Sequence, residues 1–196
     1  MPFANKVVAR VLGQVDPRKV LILDRRDYAG ERFPYIAHEF EESTHNCLMS
    51  AADLLKHYKK IYLAFPRPAE IALKSSHAPR EIIKGFETFC RERRMAGEIL
   101  HDLKAHAMKE GDVMFVIDDA DLVAAVEMAR ERGLVIGKDV GILSYNDTPA
   151  KRVIDKGITV ISTDFAEHGR RAADYVLTRE PVKVIIPTTV IRRHSL

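Results

Sequence analysis

Long apolar runs are missing from this chain. None of its 196 residues belongs to a stretch able to span a bilayer, and no charged-then-apolar leader follows Met1. The sequence therefore reads as free of membrane segments and of an export signal, and it is assigned to the cytoplasm. Cysteine is scarce. Cys47 and Cys90 fall inside helical patterns with no metal-ligand spacing, so they read as buried thiols compatible with a reducing compartment. Charge of one sign is never concentrated: the net +3 comes from interleaved Lys/Arg and Asp/Glu, whereas counterion-release binding to nucleic acid needs a clustered patch. Lys56 to Lys60, Arg91 to Arg94 and Arg192-Arg193 come nearest, and they read as solvated element ends. The eight histidines have no metal-motif spacing, and there is no phosphate-cradling glycine loop and no nucleophile–base pair. No metal, cofactor or enzymatic activity is expected.

What is present is an alternation of apolar strands and amphipathic helices. At 46% apolar and 30% charged the composition is that of a globular protein, and the length allows one domain or two small ones. Val7, Val8, Val11, Leu12 and Val15 form one helical stripe stopped by Pro17, followed by a strand KVLIL (19–23). A long irregular stretch with Gly30 and Pro34 follows, then a helix capped at Ser43 or Thr44. Strand KIYLAF leads through a polar loop holding Pro66, Pro68, Ser75 and Ser76 to a helix opened by Pro79. Next come a short strand EIL, a helix DLKAHAMKE, strand VMFVI and a helix stopped by Gly133. Strand VGILSY, a helix start at Thr148-Pro149, strand ITVIS, a helix from Asp164 and the strands VKVIIP and TTVIRR complete the chain. Alternation of this kind predicts an α/β fold with mostly parallel sheet. A strand like KVLIL calls for neighbours on both sides, so the front of the chain reads as cut short.

Three strands run into ligand-type residues: VMFVI into Asp118-Asp119, VGILSY into Asn146-Asp147, and ITVIS into Thr163-Asp164. In open parallel sheets such carboxyl ends surround a ligand crevice, so the pattern predicts a pocket for something rich in hydroxyls or amides.

Four ordered blocks carry a resemblance. They are HYKKIYLAF with PREIIKGFETFCRER, then DVMFVIDDADLVAAVEMARERGLVIGKDVGILSYNDT, then ITVISTDFAEHGRRAADYVL, and IIPTTVIRRHSL at the end. From Phe40 to Leu196 the sequence resembles the effector-binding part of the lactose-repressor (LacI/GalR) family, a module also fused to GntR-type heads. The shorter KVLILDRRD resembles an earlier family segment. The resemblance implies a type I periplasmic-binding-protein-like fold, two Rossmann-like lobes with a sugar or other small effector in the cleft. It also implies that residues 39–162 and 188–196 form a nearly complete C-terminal lobe, and residues 1–38 and 163–187 a partial N-terminal lobe. The N-terminal lobe's first strand, first helix and second strand, and any DNA-binding head, are expected to be missing. Two departures stand out: the family's Asn-Asp pair is Asp118-Asp119 here, and its Asp-Asp pair is Asn146-Asp147. The family's His before the first matched strand is Tyr58.

Each candidate has a plain structural alternative. Arg80 begins a helix, where a cation opposes the dipole; its fork suits sugar hydroxyls or phosphate, and it matches the family's principal ligand arginine. Asn146 is expected to contact ligand, against a simple turn role shared with Asp147. Asp118 is taken as the pocket residue and Asp119 as the helix cap. Asp24 faces ligand by resemblance, or pairs with Arg25 or Arg26 in a surface turn. Glu39 and Phe40 lie near a crossover, where Phe40 either stacks on a sugar ring or plugs the core, and Thr163 is a further contact. The function implied is a sugar- or sugar-phosphate-sensing, homodimeric domain of a bacterial transcriptional regulator, reaching operator DNA only through a head outside this chain. The alternatives are a sugar-binding receptor of an uptake transporter, and an enzyme holding a divalent cation on Asp118-Asp119.

Overall fold

The computed structural model describes residues 6–25, 32–66 and 78–196, with backbone alone for 6–9. Arg26, Asp27, Gly30, Pro68, Ser75 and Ser76, and the side chains of Val7 and Val8, lie outside the described residues. In chain order the elements are α1 (Lys6–Gly13), β1 (Ile22–Asp24), β2 (Tyr35–Ala37), α2 (Phe40–Ser50), α3 (Ala52–Leu55), β3 (Lys60–Ala64) and α4 (Glu81–Arg93). They continue as β4 (Ala96–Leu100), β5 (Asp112–Val116), α5 (Asp119–Glu131), β6 (Gly141–Tyr145), β7 (Thr159–Thr163), α6 (Phe165–Thr178), β8 (Lys183–Ile185) and β9 (Thr188–Ile191). The chain divides into two compact units: Met1–Glu39 with Thr163–Thr188, and Phe40–Ser162 with Thr189–Leu196.

The second unit is organised by strand parity. Its sheet runs β4-β3-β5-β6-β7-β9, and the pairs from β4 to β7 are parallel. Successive side chains of a strand point to opposite faces. Accordingly Ile61, Leu63, Val113, Phe115, Leu143, Tyr145 and Ile161 pack on one face, with Leu48 of α2, Leu55 of α3 and Ile82, Phe86 and Phe89 of α4. The alternate residues Tyr62, Met114, Val116, Ile142 and Val160 pack on the other, under Leu122, Ala125, Val126 and Ala129 of α5. Burial on both faces is why these strands are continuous apolar runs; each Leu, Ile or Phe removed from water contributes roughly 1.5–3 kcal/mol. Cys47 lies in the first core, and burial pushes its thiol up to about 11.

The first unit has a three-stranded parallel sheet, β1-β2-β8. Tyr175 of α6 anchors it, donating its hydroxyl to the carbonyl of Arg18 at 2.9 Å. Among the described residues β1 pairs with β2 alone, and Leu23 is 48% exposed.

Several elements differ from the sequence expectation. Pro17–Lys19 is a 3-10 turn capped by the Asp16 side chain, which holds Arg18 N at 3.0 Å and delays β1 to Ile22. The stretch around Pro34, expected to be irregular, contains β2, the central strand of its sheet. The following helix begins at Phe40, which puts Ser43 and Thr44 inside it and not at its cap. DLKAHAMKE makes only a 3-10 turn at Leu103–Ala105, because the Asp112 carboxylate accepts from Lys109 N at 2.9 Å and offers the backbone a non-helical partner. The segment after Thr148-Pro149 is likewise a single 3-10 turn, Ala150–Arg152.

Candidate functional site

In the six-stranded sheet the chain leaves β3 for β4 on one side and returns to β5 on the other. A reversal of this kind separates the crossovers at the carboxyl ends of β3 and β5 and opens a crevice there. Phe65 and Asp118 stand at that point. The register pairs Val116 with Ser144, so Asp118 and Asn146, each two residues further on, leave the sheet side by side. Arg80 precedes α4, the helix that descends from the same edge before β4. His101 Nδ1 lies 2.8 Å from the Phe65 carbonyl and ties the ends of β3 and β4 together.

The edge separates committed polar groups from uncommitted ones. Asp118 is the helix cap: its Oδ1 accepts from Ala120 N at 2.8 Å, beside the partial positive charge of the α5 N-terminus. This corrects the expectation that Asp119 carries the cap. Asp119 instead pairs with Lys151, Oδ1 to Nζ 2.9 Å. The carboxylates of the Asp118-Asp119 pair thus serve different partners, and no group of three or more His, Cys, Asp or Glu able to hold a metal occurs among the described residues. Asp147 is also committed. Arg193 reaches it at 2.9 Å and Arg152 at 3.3 Å; the Arg193 guanidinium above all holds its carboxyl below the usual range, against the opposing effect of burial. Asp147 N donates to Ser162 Oγ at 3.0 Å.

Asn146 takes the left-handed conformation, φ 61, a region Asn tolerates better than most residues because its short side chain is compatible with it. Its backbone N donates to Ile161 O at 2.7 Å. Its side-chain amide makes no hydrogen bond among the described residues, and the same holds for the exposed Arg80 guanidinium and for Asp118 Oδ2. The Arg80 fork, the Asn146 amide and Asp118 Oδ2 therefore lie unpaired at this sheet edge, and Asp147 Oδ1 is buried beside them without a hydrogen-bond partner among the described residues. Between them they supply donors and acceptors of the types a polyhydroxy ligand uses.

The remaining candidates are placed differently. Phe40 is 8% exposed and packs in the core cluster with Leu48 and Phe86, so it fills the core and offers no open face for stacking. Asp24, Glu39 and Thr163 belong to the first unit. Asp24 ends β1 with φ 75; its carboxylate lies 3.6 Å from His38 Nε2. Glu39 is half-buried two residues past β2. Thr163 is buried, with its hydroxyl 2.9 Å from that of Thr188.

His38 itself was not expected from the sequence. It is 6% exposed and lies edge-on to His168. Burial lowers its pKa; Asp24 opposes that shift, while His168 and Arg25 reinforce it. With the folded pKa below the unfolded one, the unfolded chain takes up a proton first. The contribution to stability is complete above roughly pH 6.5 and is lost as the pH falls toward the folded value. Amide exchange at Tyr35–Ala37 is expected to accelerate relative to Asp112–Val116 between pH 7 and pH 5, once corrected for intrinsic rates. Equal changes in both sheets would contradict the assignment.

The fold and the edge just described define a type I periplasmic-binding-protein-like α/β protein. Its residues 56–196 match the family model of the periplasmic binding protein-like domain, which is most of its length, and the chain belongs to that family. Comparison with curated proteins gave no match. Solved structures with the same fold include a dimeric Lac repressor with a C-terminal deletion, at 19% identity over 89% of this chain and 67% of that one, TM-score 0.65. A probable maltose operon transcriptional repressor from Staphylococcus aureus matches at 17% identity over 97% of this chain and 71% of its own, TM-score 0.71. A LacI family transcriptional regulator from Enterococcus faecium with bound ribose matches at 17% identity over 89% and 69%, TM-score 0.65. At such identities the likeness is one of fold. Among the described residues no helix is long and apolar enough to cross a membrane.

Proposed function

We propose that this chain is the small-molecule effector-binding and dimerisation domain of a bacterial transcriptional regulator, and that its effector is a sugar or sugar phosphate. The observation that carries the reading is the uncommitted trio Arg80, Asp118 Oδ2 and Asn146 on the carboxyl edge, at the point where the strand order reverses. The family membership supports it, and so does the presence of ribose in one structure of the same fold. Arg80 would grip two adjacent hydroxyls or a phosphate, Asn146 would give and take one hydrogen bond each, and Asp118 would accept from a hydroxyl. Asp24, Glu39 and Thr163 of the first unit are proposed, each by itself, as ligand-facing residues. Effector binding would bias a homodimer between geometries, by no more than its differential affinity for them. Operator DNA would be engaged by a LacI- or GntR-type head in cytoplasmic full-length protein.

The test is a thermal-shift and calorimetric screen with D-ribose, D-glucose, D-galactose, D-fructose and the phosphate esters of ribose, glucose and fructose. A true effector at 100 times its Kd stabilises the folded chain by about 2.7 kcal/mol. A rise in Tm with one or a few members supports the reading, and no rise with any member overturns it.

A further inference from the structure

Lys151 is the most deeply buried cation among the described residues, with only 2% of its surface exposed. Its ammonium group meets three oxygens: Tyr145 O at 2.7 Å, Asn146 O at 2.9 Å and Asp119 Oδ1 at 2.9 Å. Two of its hydrogens are donated to the carbonyls of Tyr145 and Asn146, and its charge is paired with the Asp119 carboxylate. The acceptors come from two segments. Tyr145 and Asn146 are where the chain leaves β6, and Asp119 is the first residue of α5, directly after the capping Asp118. In a regular strand neighbouring carbonyls point to opposite sides. The left-handed φ of 61 at Asn146 turns its carbonyl onto the same amine that holds the carbonyl of Tyr145.

We propose that Lys151 is the positioning residue of this edge. It fixes Asn146 in the left-handed conformation and ties it to the start of α5, so that the Asn146 amide and Asp118 Oδ2 are set before any ligand arrives. The inference rests on the proposed ligand role of the edge, but its geometric half is tested without a ligand. It also explains why the two acids after β5 diverge. Asp118 caps the helix and keeps one oxygen available, while Asp119 neutralises the lysine.

The experiment compares the native chain with Lys151→Met and Asp119→Asn by amide hydrogen exchange, with calorimetric titration of D-ribose, D-glucose and D-glucose 6-phosphate. Lys151→Met keeps the apolar stem and removes the charge. Exchange is expected to accelerate at least tenfold at Ala120, Asn146 and Asp147, while Val113–Val116 hold their native protection. Asp119→Asn keeps both carbonyl contacts and is expected to disturb Ala120 more than Asn146. For any of the three sugars that binds the native chain, Lys151→Met is expected to weaken binding at least tenfold, and Asp119→Asn by less. Uniform acceleration across the β5 core would reduce Lys151 to a general stability element and overturn the proposal. Unchanged exchange at Asn146 would overturn it as well. Native exchange behaviour as expected, with no sugar bound by any variant, would uphold the positioning role and count against the sugar reading alone.

Discussion

Gly85→Val is expected to lower the unfolding temperature of the chain by about 6–12 °C, the largest stability effect of any single methyl-bearing substitution considered. Gly85 sits in the middle of α4, where glycine is intrinsically about 1 kcal/mol worse than alanine. Propensity alone would favour replacing it with any residue except proline. Packing reverses the sign. A Cβ at this position would press into the Glu41 carbonyl oxygen, come within 2.9 Å of Thr44 Cβ and within 3.1 Å of His45 N. Two of those neighbours are backbone of α2, which cannot rotate away, so the helices must separate. Separation opens the apolar layer formed by Leu48, Phe86 and Phe89 and strains the His45–Glu92 contact at 2.8 Å. Overpacking of this kind costs about 3 kcal/mol. Gly169 in α6 is the internal control, since a Cβ there meets nothing within 4 Å. Gly169→Ala is expected to raise stability by about 1 kcal/mol. Thermal unfolding of both variants checks the pair; a Gly85→Val transition within about 2 °C of the native one would contradict the packing clash.

The second large effect is functional and separates backbone from side chain at one residue. Glycine adopts the left-handed conformation of Asn146 without strain, so Asn146→Gly is expected to leave stability close to native while removing the amide. If that amide holds a hydroxyl of the effector, affinity falls about 10- to 100-fold, each tenfold step being about 1.4 kcal/mol. Asn146→Ala removes the same amide and adds about 1–2 kcal/mol of backbone strain. The two variants should therefore bind equally poorly and melt differently. Calorimetry with whichever sugar the screen identifies, beside thermal unfolding, reads both quantities. Native affinity in Asn146→Gly would remove Asn146 from the site.

The strands that build the candidate edge were legible for a physical reason. Residues 60–64, 112–116 and 141–145 are covered on both faces, so they are mostly apolar and run into polar residues, and 159–163 keeps the same two-sided burial around Val160 and Ile161. The short strand Tyr35–Ala37 gave no such signal, because three residues carry no period. Its sheet partners come from distant parts of the chain. At the edge itself, residue type located Asp118 and Asn146 but not the division of labour between adjacent acids. Which of Asp118 and Asp119 caps α5 is decided by one extended residue, Asp118 at φ −98 and ψ 146, and that is invisible in the sequence. Lys151 was missed for a related reason. A lysine between Ala150 and Arg152, after Pro149, has the composition of a solvated turn, and only the converging carbonyls of Tyr145 and Asn146 show that it is enclosed. Phe40 was open in the sequence between stacking on a ligand and plugging the core, and the fold buries it with Leu48 and Phe86.

The most direct test of the account is a map of backbone amide shifts in the ¹⁵N-labelled chain as the sugar selected by the screen is titrated in. The account predicts that, within the second unit, the largest changes fall at Arg80, Asp118–Ala120 and Asn146–Asp147, following one saturable curve. Lys56–Lys60 and Arg91–Arg94 at the opposite end of the sheet should stay unmoved. Changes centred on that opposite end, or a titration that never saturates, would contradict a ligand site on the carboxyl edge.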